Sequence, residues 1–200
     1  MRMVAALLLS PALLAQTVSF GVRAGLPVTD PFSVDQSHQT STHRYTIGPT
    51  IGIDLWRNAA IGADFLFKSA SLTAATQSTT VNRWELPVTF IYRFHISSMR
   101  RFVRAGVSVN RIFDTGTAVE CGRGPFGEQF YCLNGNPLAE LRHRNTFGPV
   151  IGGGFQFRFK RIRFEAEARF TRWVDRNFGV QDSAVQSNLT QFEILAGAML

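Results

Sequence analysis

Thirteen ionisable side chains recur at alternate positions within apolar stretches of this chain: Arg23, Asp54, Asp64, Lys68, Glu85, Arg93, Arg104, Arg158, Arg163, Glu165, Glu167, Arg169 and Glu193. Seven are basic and six acidic, so they nearly cancel. The chemistry this suggests is ion pairing. A charge taken out of water without a partner costs several kcal/mol, so the arginines and carboxylates are expected to pair, with Glu85, Arg93, Glu167 and Arg169 at the centre. A second set of arginines, Arg44, Arg83, Arg111, Arg142, Arg144, Arg172 and Arg176, falls where the apolar stretches meet long polar segments. Guanidinium groups pair bidentately with phosphate, so these seven could form a basic rim. His95-Ile96-Ser97 sets a base two residues from a hydroxyl, but no acidic partner lies near it in sequence.

Cys121 and Cys132, the only two cysteines, sit in CGRGPFGEQFYC, a Gly- and aromatic-rich segment without helical period. In an oxidising compartment they are expected to close a loop disulfide. A zinc site would need two more ligands close by, and His143 alone does not supply them. Neither a metal nor a cofactor is expected.

The elements that position these residues are strands. Eight runs alternate apolar with small or polar residues, at 17–26, 45–56, 59–69, 82–94, 101–112, 146–159, 162–173 and 189–200. Period two is the signature of a strand with two unlike faces, and each run is near the 9–11 residues that cross a bilayer at a tilt. One face carries Phe20, Ile51, Phe65, Phe90, Phe155, Phe170 and Ile194, with Tyr45, Trp56, Trp84, Phe94, Phe159 and Trp173 at strand ends like an interfacial girdle. The other face carries the thirteen charges, interspersed with glycines such as Gly52, Gly152 and Gly197 that leave long side chains room. An eight-stranded barrel has an interior that side chains fill, which suits such a face. A soluble barrel with phenylalanine inside on nearly every strand would be overfilled.

Connections alternate in length. Arg57-Asn58, 95–100 and Lys160-Arg161 are short turns, whereas 27–44, 70–81, 113–145 and 174–188 are long and polar. Short turns face the periplasm in such barrels and long loops face outside. Ahead of the strands, Arg2 precedes the apolar run from Val4 to Leu14, then Ala15: a signal peptide over 1–15, cleaved after Ala15, with the barrel domain at 16–200. Pro49, Pro87 and Pro149 interrupt strands, and bulges are expected there, because proline cannot donate to a ladder. The net charge of +7 is spread along the chain with no basic stripe, which argues against nucleic acid.

Trp84-Glu85-Leu86-Pro87-Val88, running on to Tyr92-Arg93-Phe94, resembles the fourth strand of the small outer-membrane β-barrel proteins of OmpA/OmpX and PorT type. Glu165-Ala166-Glu167-Ala168-Arg169-Phe170 resembles their seventh, and the resemblance covers 17–200. It implies an outer-membrane location, insertion by the barrel-assembly machinery, and frequently no known activity. Such barrels end in an aromatic residue, commonly Phe, where this chain has Leu200.

The reading is therefore an all-β, eight-stranded, antiparallel up-and-down transmembrane barrel: a monomeric, non-enzymatic protein with a structural or surface-interaction role and a lumen plugged by ion pairs. Its partners would be outer-membrane lipid, lipopolysaccharide at the arginine rim, and an extracellular protein at the stapled aromatic loop 113–145. The alternatives are a small charge-lined pore or transport channel, and a lipid A-modifying barrel enzyme using His95 and Ser97, since lipid A deacylases carry a His-x-Ser pair.

Overall fold

The computed structural model describes residues 17–30, 32–34, 45–74, 77–96, 99–119, 141–177 and 185–200. The expected signal peptide, Arg44, Ser97, Cys121 and Cys132 lie outside them. The strands are β1 (Val18–Pro27), β2 (Phe32–Val34), β3 (Tyr45–Trp56), β4 (Ala59–Asp64), β5 (Leu66–Ala74), β6 (Gln77–Ile96), β7 (Met99–Val119), β8 (Asn145–Phe159), β9 (Ile162–Arg172), β10 (Val185–Ser187) and β11 (Thr190–Met199). β4 and β5 form one spanning segment, so eight segments pair antiparallel in chain order, and β1 pairs with both β3 and β11. The ring is closed. The two ends of the described chain meet at its seam, where Leu200 and Phe20 exchange backbone hydrogen bonds of 2.8 and 3.3 Å. Among the described residues β2 and β10 pair only with each other, across the two long connections that flank this seam.

Alternation along each strand sets the two faces. Phe20, Ile47, Phe90, Val107, Phe155 and Ile194 point outward and are exposed, while Arg23, Lys68, Glu85, Arg104 and Arg169 on the alternate positions are buried. In water the outer face would be an apolar patch far beyond what soluble monomers tolerate. In lipid it is the solvated face. Aromatic rings gather on it: Trp84 stacks on Phe65 and Phe113 at centroid distances of 4.4 and 5.8 Å and meets Phe67 edge-on at 5.2 Å.

Bulges do not form at the prolines. Val22 faces Pro49, Ser108 faces Pro87 and Val107 faces Pro149 in unbroken register. Register shifts fall instead at Asp54/Trp56, beside the Arg57-Asn58 turn, and at Asn82/Arg83. What a proline costs is one bond. Phe65 donates to the Pro49 carbonyl at 2.9 Å, Pro49 has no N–H to return, and regular strand is interrupted at Phe65 between β4 and β5. The register is the same on both sides of that interruption. A glycine precedes two of the prolines, and the close approach there requires it. A Cβ on Gly48 would lie 1.9 Å from the Phe65 carbonyl oxygen, and one on Gly148 would lie 2.0 Å from that of Arg172.

All four expected loops are partly strand, 27–44 and 174–188 through β2 and β10. Segment 70–81 pairs with itself out to Ala74 and Gln77, and β7 runs on to Val119. Ser71, Thr73, Thr79 and Thr80 are polar but not loop formers: threonine is β-branched and favours extended backbone. Val22-Arg23-Ala24-Gly25 of β1 recurs as Val103-Arg104-Ala105-Gly106 of β7, and Thr46-Ile47-Gly48-Pro49 of β3 as Thr146-Phe147-Gly148-Pro149 of β8, but the likeness is not kept in register. Arg23 faces Gly48, whereas Arg104 faces Gly152, four residues beyond Gly148.

Gly148→Val is expected to lower the folded fraction severalfold, scored as the heat-modifiable band of the refolded protein on a denaturing gel. Pro149→Ala, which adds a donor at an exposed position, should fold like the wild type.

Candidate functional site: a layered charge network in the lumen

Period two aims the charged side chains inward from every segment, and the closed ring brings residues far apart in sequence to one layer. The middle layer holds three arginines and three carboxylates. Arg23 Nη2 meets Glu165 Oε2 at 2.7 Å, and its Nη1 pairs with Glu167. Arg169 reaches Asp64 Oδ2 at 2.5 Å and Glu167 Oε1 at 2.8 Å. Arg104 lies 3.3–3.6 Å from Glu167, Glu165 and Asp64. Thr50 Oγ1 donates to Asp64 at 2.6 Å. Gly152 opens the space: a Cβ there would lie 2.8 Å from Glu167 Oε1 and 3.2 Å from Arg104 Cγ.

Toward the loop end, Lys68 pairs with Glu85 and, at 2.7 Å, with Glu193. Ser108 donates to Glu85 at 3.0 Å, and Thr46 and Gln191 donate to Glu193 at 3.2 and 2.7 Å. Arg83 Nη2 and Trp173 Nε1 both donate to Gln191 Oε1, at 3.2 and 3.3 Å. This layer balances too, Lys68 and Arg83 against Glu85 and Glu193. Toward the turn end, Arg93 pairs with Asp54 at 2.6 Å and Arg163 donates to Ser19 Oγ at 2.8 Å. An apolar cluster of Ala60, Ile91 and Phe102 fills the space beside them. Within the network a cavity of about 10 Å³, lined in part by Arg23, Asp64, Arg93 and Glu165, is the size of one water.

Several expected positions differ. Glu85 and Arg93 flank the centre, which Arg23, Asp64 and Arg104 share with Glu167 and Arg169. Arg158 stands exposed at the end of β8 and joins none of these pairs. Arg83 belongs to the lumen rather than the rim, as its place two residues before Glu85 on the same face would have indicated. By the same alternation Trp173, 4% exposed, follows Arg169 and Thr171 inward and is no part of the outer girdle. The remaining rim residues Arg111, Arg142, Arg144, Arg172 and Arg176 are exposed and confined to the β7–β9 side. Asn177, also buried, ties that side together: its backbone and side chain bond Arg142 N at 2.8 Å, the His143 carbonyl at 2.8 Å and Asn110 at 3.3 Å. No motif marks Asn177 in the sequence. His95 lies in β6 opposite Arg100.

A closed eight-stranded ladder with an apolar outer belt over a charged interior defines a small outer-membrane β-barrel. No family model matches the chain, and no curated protein matches it in sequence. Solved structures are similar in fold. Neisserial surface protein A superposes with a TM-score of 0.53 at 14% identity, covering 92% of this chain and 97% of its own. Ail, the attachment invasion locus protein of Yersinia pestis, solved with the heparin analogue sucrose octasulfate, gives 0.46 at 10% identity over 92% and 97%. The N-terminal β-barrel domain of Pseudomonas aeruginosa OprF gives 0.39 at 13% over 91% and 97%.

Removing one partner of a buried ion pair costs about 3–5 kcal/mol, because the other charge is left uncompensated. Arg169→Leu, which strands Asp64 and Glu167 at once, is expected to cost at least that by urea unfolding of the folded barrel in detergent. Arg93→Leu should cost less than half as much, since Asp54 is part-exposed and can be hydrated.

Proposed function

We propose that this protein is a non-enzymatic outer-membrane barrel whose lumen is plugged by ion pairs and which works through its outer surface, as a structural or surface-interaction protein. The observation that carries the reading is the middle layer, in which three guanidiniums and three carboxylates fill the cross-section with side chains that are almost wholly buried. An ion crossing it would have to part several charge-assisted pairs at once. Trp173 and Asn177, folded inward and buried at the loop end, add to the obstruction.

The surface role is supported by the exposed arginines Arg111, Arg142, Arg144 and Arg172 at the outer edge of the belt, on neighbouring segments, where lipid phosphates would lie. Fixed guanidiniums at that level suit lipopolysaccharide head groups. The extended β6–β7 hairpin leads into segment 113–145 and offers a rigid base for a protein-binding loop.

In a planar bilayer the purified, refolded barrel is expected to show no steady conductance, and a reproducible open level would overturn the plug. An Arg142/Arg144/Arg172 triple Ala variant should fold normally and lose retention on immobilised lipopolysaccharide; retention equal to wild type would remove the rim from the proposal.

A further inference from the structure

The middle and loop-end layers are balanced in charge, whereas the turn end is not. Arg158 and Arg163 face each other directly across the β8–β9 pair, with Arg100 and Gln156 opposed on the adjoining β7–β8 pair. Like charges in direct cross-strand opposition are destabilising. Together with Phe157 these four residues line a pocket of about 140 Å³.

The carboxylates nearest to it are committed elsewhere. Glu165 Oε2 holds Arg23 at 2.7 Å and Arg104 at 3.4 Å, and Asp54 Oδ1 holds Arg93 at 2.6 Å. Arg163 reaches only their outlying oxygens, at 3.5 and 4.0 Å. Gln156 is 4% exposed and its Oε1 has no hydrogen-bond partner, so the amide can turn its Nε2 donor to an anion. The turns around the mouth bear Arg57, Lys160 and Arg161, and no acidic residue occurs in 55–58, 95–101 or 157–162.

We propose that this pocket at the turn end is an oxyanion site that takes a phosphate group, held by Arg100, Arg158 and Arg163 with Gln156. A tetrahedral phosphate offers several oxygens to guanidiniums arriving from three strands, more than a single carboxylate does, and two negative charges would relieve the Arg158–Arg163 opposition. Phosphate chemistry has two sources here, free phosphate and a phospholipid head group. Phe157 both lines the pocket and presents its ring to the lipid belt, 53% exposed, which gives a head group a route in.

The test uses the barrel refolded in a maltoside detergent without phosphate, and reads the unfolding midpoint. Added inorganic phosphate, or short-chain phosphatidylglycerol against the matching diacylglycerol, is expected to raise the midpoint by about 2–4 °C or more, while chloride at equal ionic strength does not. A response to inorganic phosphate assigns the free anion; a response to the lipid alone assigns the head group. An Arg100→Gln/Arg158→Gln double variant alters only exposed side chains. In phosphate-free buffer its midpoint should equal or exceed the wild type's, because the repulsion on Arg163 is relieved, and it should not respond to either probe. No response of the wild type beyond that to chloride, or a full response of the variant, would overturn the site.

Discussion

A membrane-spanning sheet cannot have an edge. Lipid offers no hydrogen-bond partners, so every strand must be paired on both sides, and the structure meets this by joining β1 to β11 and bringing the two ends of the described chain together at the seam. With eight spanning segments, closure leaves an interior only as wide as the side chains that fill it. The remaining features follow from that narrowness. Phenylalanines other than Phe102 must point out, long charged chains must interdigitate inside, and glycines such as Gly152 must stand where two of those chains cross.

Narrowness also decides the electrostatics. A charge in this interior has little water to solvate it, so each layer must neutralise itself with hydrogen-bonded partners. The middle layer does so with three arginines against three carboxylates, and the loop-end layer with Lys68 and Arg83 against Glu85 and Glu193. The turn end departs from the pattern, with Arg93 and Arg163 sharing Asp54 while Arg100 and Arg158 stand outside any pair among the described residues. That departure lies where the barrel opens to solvent and head groups, which can supply the missing anion.

A scaffold so filled leaves its two ends and its outer belt to meet other molecules. Function in small barrels is accordingly a matter of sites grafted on a common frame, and frames of the same kind recur at sequence identities where nothing but the alternation need be shared. The arginines on the β7–β9 side, the paired connections of β2 and β10, and the pocket at the turn end are features of this chain's own residues on that frame.

The sequence by itself determined the fold, because period-two alternation is a local property that needs no knowledge of partners. It fixes which face of each segment is apolar, and with it the lumen-facing set from Arg23 to Glu193. Parity followed to the very ends of the runs 82–94 and 162–173 would also have placed Arg83 and Trp173 inside. Polarity, in contrast, misled where serine and threonine in 70–81 looked like loop while favouring extended backbone. Only the tertiary structure decided who pairs with whom. Arg23 meets Glu167 across 144 residues, and that contact depends on the stagger of every intervening strand pair, which a one-residue slip would abolish. Other placements are local: eight residues along β6 put Glu85 and Arg93 in different layers, and the Lys160-Arg161 turn sets Arg158 opposite Arg163. The prolines were likewise settled by neighbours: at Pro49 and Pro149 the lost donor is tolerated without a bulge where the preceding glycine lets a carbonyl of the next strand approach, and at Pro87, which follows Leu86, the register holds without one.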